Sequence, residues 1–468
     1  MEFGWLQQGA VKVLSAMSPW LGMPRAAWLP ALAGAGAVLL AIALTVVARR
    51  RRRAAAARSQ RVRGEAEVLK EELRLRLSEP AILFANGAGA APTMGASEAF
   101  EGDIEAAART VLQEAGGRRA RAKELLRRRT NGNGAANGKL NGSEVGYWRQ
   151  LGALSLLDNT QDALAAYGRA ADLAPGDAEA QMLVGVLHLR TGNLAAAESA
   201  FRRQIELGNA NGASFLRHRG HTMLGDVHAA REEHDAAMAA YAEAQREVKS
   251  LLEREPGNAG FKRDLSVTCD RIGDMHVANG RLDAALESYR QSLEIAEALA
   301  KLDPQNPIWQ HDLSVSHDRI GEILDQKGDR EAALESFRKG LAIAEALTSR
   351  DGDNVQWQWD LSVSHDRIGD ILIAQGKLEE ALQSYRRGMA IAEALARRDP
   401  AHAGWQRDLA ISYHKIGSLE AIGNPGEARE LLEKGRAIIA RLAGIAARQA
   451  QWHSDLGKFD EVLRTLEH

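Results

Sequence analysis

The sequence predicts an all-α protein: a solenoid of stacked helix-turn-helix units preceded by one transmembrane helix. Three observations carry this. A block of residues recurs every 48 positions through the second half of the chain. The composition favours helix over sheet, with 11 prolines and 5% aromatics in 468 residues. Near the N-terminus, twenty consecutive residues carry no charge.

The recurrence is specific. Phe261, Trp309, Trp357 and Trp405 stand 48 apart, as do Gly273, Gly321, Gly369 and Gly417. Between each aromatic and its glycine runs DLSVTCDRIG, DLSVSHDRIG, DLSVSHDRIG or DLAISYHKIG. Such a period describes supersecondary units that bury their apolar faces against one another. Each unit reads as two helices. The first runs from about the aromatic to just before Gly280, Gly328 or Gly376, where Asn-Gly, Lys-Gly or Gln-Gly ends it. The second carries apolar residues at helical spacing, as in Ala333, Leu334, Phe337, Leu341, Ile343 and Ala344. Pro304 and Pro400 then break the chain before the next unit.

Gly321, Gly328, Ala333 and Phe337 fall at spacings of 7, 5 and 4, behind a bulky Ile320. The set resembles the tetratricopeptide repeat (TPR), whose small residues let two helices approach while an aromatic fills the gap between them. It recurs as Gly273, Gly280, Ala285, Tyr289 and as Gly369, Gly376, Ala381, Tyr385. An earlier unit has ordinary spacing in Gly185, Gly192, Ala197 and Phe201. Another has Trp148, Leu151, Gly152, Ala163, Tyr167 and Pro175, one residue short in its turn, and a third has Gly225 and Tyr241. The resemblance covers residues 145–447 and implies a right-handed superhelical solenoid. The ordinary repeat is about 34 residues; the 48-residue unit is longer by two heptads, most simply one per helix, which keeps the buried face in register. Residues 448–468 repeat the W-x-x-D-L opening at Trp452 and predict a lone capping helix.

The resemblance implies that first helices line a concave groove for partner peptides. Its groove positions are here Val267, Asp270, Asp274, Val277 and Ala278, then Val315, Asp318, Glu322, Asp325 and Gln326. Val363, Asp366, Asp370, Ile373 and Ala374 follow, then Ile411, His414, Ser418, Ala421 and Ile422. Three repeats thus place two carboxylates one helical turn apart beside a Val, an acidic and partly apolar stripe. One reading is a groove for a basic or amphipathic protein segment. The other is that the acids pair with Arg271, Arg319 and Arg367, or with the next repeat, as a solvated face. Trp309, Trp357, Trp405 and Trp452 read as inter-repeat packing. Asp264, Asp312, Asp360, Asp408 and Asp455 read as hydrogen-bonding or ion-pair partners.

Residues 29–48, LPALAGAGAVLLAIALTVVA, are long enough for the roughly 30 Å hydrocarbon core. Arg49 to Arg53 follow at once, then Arg58, Arg61 and Arg63, whereas residues 1–28 carry only Lys12 and Arg25. The positive-inside rule puts residues 1–28 outside, with Trp5, Trp20 and Trp28 as interfacial anchors, and the C-terminal bulk in the cytoplasm. A cleaved signal peptide would carry its charge before a shorter core. Residues 49–144 read as a basic connector with helices near 64–77 and 104–129, separated and followed by Gly/Asn-rich linkers.

The chemistry of the chain points away from catalysis. Sixty Lys and Arg nearly cancel 62 Asp and Glu, and no basic face interleaved with aromatics suggests nucleic acid. Gly138-Lys139 lacks the first glycine and the Ser/Thr of a phosphate loop, since Asn133 and Leu140 stand there. His218, His221, His228 and His234 cluster without the spacing of a metal site, and Cys269 and His317 occupy packing positions. No cofactor, metal or catalytic residue is expected. The sequence supports a membrane-tethered scaffold for protein partners, with a regulatory or assembly subunit of a membrane complex as the alternative and an enzyme as a remote one.

Overall fold

Asn258, Asn306 and Asn354, spaced by 48, each accept from backbone N–H groups two or three residues on, and His402 does the same with a ring nitrogen. Each caps the first helix of a long unit. The computed structural model describes residues 107, 110–111, 119–133, 142–156, 159–400, 402–445 and 450–466. Among the described residues the regular structure is all helical, and its α-helices are α1 (Arg119–Asn133), α2 (Gly142–Leu156), α3 (Thr160–Leu173), α4 (Ala178–Arg190), α5 (Leu194–Ala210), α6 (Ser214–Ala230), α7 (His234–Arg254), α8 (Ala259–Ala278), α9 (Leu282–Leu302), α10 (Pro307–Gln326), α11 (Arg330–Arg350), α12 (Val355–Ala374), α13 (Leu378–Arg398), α14 (Ala403–Gly423), α15 (Pro425–Ile445) and α16 (Ala450–Thr465). The predicted tail 1–28, the transmembrane segment 29–48 and most of the connector 49–144 lie outside the described residues. Among the described residues no helix is long and apolar enough to cross a membrane.

Helices α2 to α15 form antiparallel pairs, each packed on its sequence neighbours. The turn inside a pair is closed by a left-handed residue: Gly192, Gly280, Gly328 and Gly376 have φ between 68° and 85°, a region glycine enters without a Cβ clash. Above each turn a second glycine lets an aromatic ring wedge between the two helices. A Cβ at Gly185, Gly225, Gly273 or Gly369 would stand 2.4 Å from the ring of Phe201, Tyr241, Tyr289 or Tyr385, so even alanine would force the pair apart. These rings are almost wholly buried, each contributing about 1.5–3 kcal/mol of apolar burial.

Helix length changes along the chain. Gly185 lies seven residues into α4, whereas Gly273 lies fourteen into α8. The second helix grows at its C-terminal end: α3 stops ten residues after Ala163, and α9 runs seventeen past Ala285. Both added heptads therefore sit at the same end, away from the tight turn.

The solenoid begins earlier than its predicted start at 145. Helix α1, assigned from sequence to the basic connector, buries Ala122 and Leu126 against Leu151, Leu154 and Tyr167. Its charged sequence conceals one apolar stripe at Ala122, Leu125 and Leu126, spaced i, i+3, i+4. It also runs on to Asn133, into the segment read as linker. At the other end α16 closes the stack, with Phe459 packed among Ala410, Leu432, Ile439 and Leu442.

Candidate partner-binding face

Along a first helix, the residues ten, six and three before the wedge glycine and one after it share a stripe. In α8, α10, α12 and α14 these are Arg263, His311, Trp359 and Arg407; Val267, Val315, Val363 and Ile411; Asp270, Asp318, Asp366 and His414; and Asp274, Glu322, Asp370 and Ser418. Stacking turns the rows into two polar rails with an aliphatic row between them.

The first rail uses the added heptad. Arg263 Nε donates to Asp312 at 2.5 Å, His311 Nε2 meets Asp360 at 2.9 Å, Trp359 Nε1 donates to Asp408 at 2.9 Å and Arg407 Nε to Asp455 at 2.9 Å. Each link joins one unit to the next. Burial opposes a charge on His311, but Asp360 outweighs it and its pKa is raised.

The second rail joins the acids of one unit to a base of the following one. Arg271 lies 3.2 Å from Asp226, Arg319 pairs with Asp274, and Arg367 binds Asp318 at 2.7 Å and Glu322 at 2.5 Å. Lys415 lies 2.9 Å from Asp370 and 3.7 Å from Asp366. Tyrosine hydroxyls join in: Tyr289 donates to Asp274 at 2.7 Å and Tyr385 to Asp370 at 2.5 Å. Burial pushes the carboxyls of Asp270, Asp318 and Asp366 up to about 6, with Arg319, Arg367 and Lys415 pulling the other way.

The predicted acidic groove residues thus do share one face, but not as a free acidic stripe. Asp274, Asp318, Glu322, Asp366 and Asp370 are each held by a base from the next unit. The pairing spans 45 or 49 residues and depends on how far each unit is offset from its neighbour. Val267, Val315, Val363 and Ile411 remain half-buried between the rails. His414 belongs to packing instead: its ring meets Phe459 of α16 edge-on at 5.0 Å. Of the clustered histidines, His218 is buried on the carbonyl of Ala244 at 3.0 Å, and His228 faces Glu233. Cys269 is buried, and burial pushes its thiol up to about 11.

Sequence reasoning missed the first rail as an inter-unit device. Its signal was the residue before each recurring aspartate, which reads Arg, His, Trp, Arg from Arg263 to Arg407. It also missed a recess of about 190 Å³ between α12, α13 and α14, where Trp359, Val363 and Asp366 face Trp405, Asp408 and Ile411.

Comparisons with known proteins trace the same units. A tetratricopeptide-repeat model matches residues 157–212, and a second matches 268–299, 316–347 and 364–395. The chain carries tetratricopeptide repeats, stacked as an all-helical solenoid. The long-unit matches begin after Asp264, Asp312 and Asp360, so the first rail lies outside them. Similar solved structures include BtubC (BKLC) from P. vanneervenii, 16% identical over 54% of this chain and 92% of that one, with a TM-score of 0.42. The apo form of RapI is 15% identical over 62% of this chain and 95% of its own, with a TM-score of 0.42. A Rap protein complexed with Competence and Sporulation Factor is 13% identical over 79% and 100%, with a TM-score of 0.40. No curated protein matches the sequence significantly.

Proposed function

We propose that this chain is a membrane-anchored scaffold whose solenoid, built of tetratricopeptide repeats lengthened by one heptad in each helix, binds a protein partner along its first-helix face. The observation that carries the reading is the aliphatic row Val267, Val315, Val363 and Ile411 between rails whose charges, Asp408 apart, satisfy one another. A face whose charges are mostly satisfied from within offers a purely basic segment little. It suits an amphipathic one that lays aliphatic side chains along the row. The uncharged stretch 29–48 and the arginines after it support an anchor with the solenoid in the cytoplasm. We read the chain as binding rather than catalysing.

Photo-crosslinking in native membranes tests this. A reactive residue at Val315 or Val363 is expected to capture one and the same protein, and one at Lys339 on α11 is not. Equal capture from all three positions, or none, sinks the first-helix face. Deleting residues 29–48 should release the chain from membranes into the soluble fraction; a chain that stays membrane-bound is not anchored there.

A further inference from the structure

Four rungs of the first rail link α8, α10, α12, α14 and α16, and three of them use an arginine or histidine donor. Arg263, His311 and Arg407 hold Asp312, Asp360 and Asp455. The rung between α12 and α14 departs from this. Asp408 receives only the indole Nε1 of Trp359, at 2.9 Å. An indole donates a hydrogen bond but brings no positive charge. Among the described residues no Lys, Arg or His forms an ion pair with Asp408, and Arg407 beside it is committed to Asp455 at 2.9 Å. Burial raises the Asp408 pKa; the bond from Trp359 and the more distant charges of Arg407 and His402 pull the other way.

Space has been left at the same place. The recess of about 190 Å³ is lined by both indoles, by Val363, Ile411 and Leu395, and by Asp408. Trp405 is stacked on His402 at 4.1 Å between ring centres, which steadies that wall. The other charges around the recess are settled internally: Lys415 on Asp366 and Asp370, Arg367 on Asp318 and Glu322.

We propose that this recess takes an arginine side chain of the partner segment, whose guanidinium completes the rung that Trp359 leaves uncharged. Arginine fits better than lysine because the equivalent donor is itself arginine in two rungs of this chain, at Arg263 and Arg407. A planar guanidinium also stacks on an indole while bonding a carboxylate edge-on, and its alkyl stem packs against aliphatic walls. The inference rests on partner binding by the first-helix face and names its anchor.

The full chain, purified in detergent, is titrated with an acetylated, amidated peptide Val-Ala-Arg-Val-Ala-Val and with the same peptide carrying citrulline, which keeps the shape without the charge. The arginine peptide is expected to bind saturably, and the citrulline peptide at least about tenfold more weakly. Asp408→Asn should erase that preference. Trp359→Arg supplies the missing charge from within and should abolish binding, while circular dichroism and thermal melting report an intact solenoid. Equal affinity for the two peptides, no saturable binding, or unchanged affinity in Trp359→Arg overturns the proposal. Tighter binding when Arg49 to Arg53 are all serine would place the chain's own arginine run in the recess and overturn a partner as its occupant. Capture of a partner at Val315 that survives Trp359→Arg discards this pocket and leaves the scaffold standing; absence of capture at Val315 and Val363 in the native chain discards the scaffold itself.

Discussion

Asp318 meets two demands at once. Its Oδ2 accepts from Arg367 at 2.7 Å, while its Oδ1 is buried without a hydrogen-bond partner, close to Gly340, where a Cβ would stand 2.6 Å away. Burial outweighs the arginine and pushes the carboxyl up to about 6. A native pKa above the unfolded value, about 3.9, means that the folded state holds this proton more tightly. Its contribution to stability is therefore complete below about pH 4 and is lost as pH rises through about 6. Asp318→Asn cannot ionise and leaves Arg367 still paired with Glu322. The urea midpoint of the variant, relative to the native chain, should accordingly rise between pH 4 and pH 7. A difference that stays flat with pH would show that burial does not govern this carboxyl. The neighbouring ring obeys the same local logic. Tyr241, Tyr289 and Tyr385 donate to Asp226, Asp274 and Asp370, whereas Phe337, which has no hydroxyl, is matched with the longer Glu322 that reaches Arg367.

At the scale of the element, the helix pair depends on its turn. Four pairs close it with a left-handed glycine, but the pair α6–α7 uses Glu232 at φ 59°. A side chain there costs roughly 1–2 kcal/mol, part of which glycine gives back as chain entropy. Glu232→Gly should therefore stabilise the chain by about 0.5–1 kcal/mol, read as a higher melting temperature with unchanged helix content. A lower melting temperature would mean that the Glu232 side chain contributes more than its backbone costs. Sequence spacing marks this unit by Gly225 and Tyr241, and the wedge is there as expected, with the ring 2.4 Å from a Cβ at Gly225. The turn residue carries no such mark, because glutamate is a helix former and only backbone geometry exposes its position.

Across the whole molecule, stability is close to a sum over neighbouring helices, since contacts run chiefly between sequence neighbours. Damage at one end should then stay local. Phe459 is buried among Ala410, Leu432, Ile439 and Leu442 and fills the space beneath Gly435. Phe459→Ala should weaken the terminal units by about 3–5 kcal/mol. Hydrogen exchange should then speed up in α14 to α16 and remain unchanged in α2 to α5. Uniform acceleration along the chain would instead indicate a single cooperative domain.

The sequence alone determined the helix pair, because what specifies it is local: apolar residues one turn apart, a small residue opposite an aromatic, a breaker after most helices. These act within about twenty residues and repeat, so spacing by itself assigns Gly273, Ala285 and Tyr289 to their places in the pair. The shared face of the first helices followed from the same period. Its electrostatic character stayed open between a free acidic stripe and acids paired with Arg271, Arg319 and Arg367. Arg367 and Asp318 are 49 residues apart, and whether they meet depends on how far one unit is offset from the next. That offset is set by the packing of whole helices, and it converts an apparent row of free acids into a rail of ion pairs between units. The tertiary structure also decided that the charged helix α1 belongs to the solenoid, since Ala122 and Leu126 are buried in one apolar cluster with Leu151, Leu154 and Tyr167.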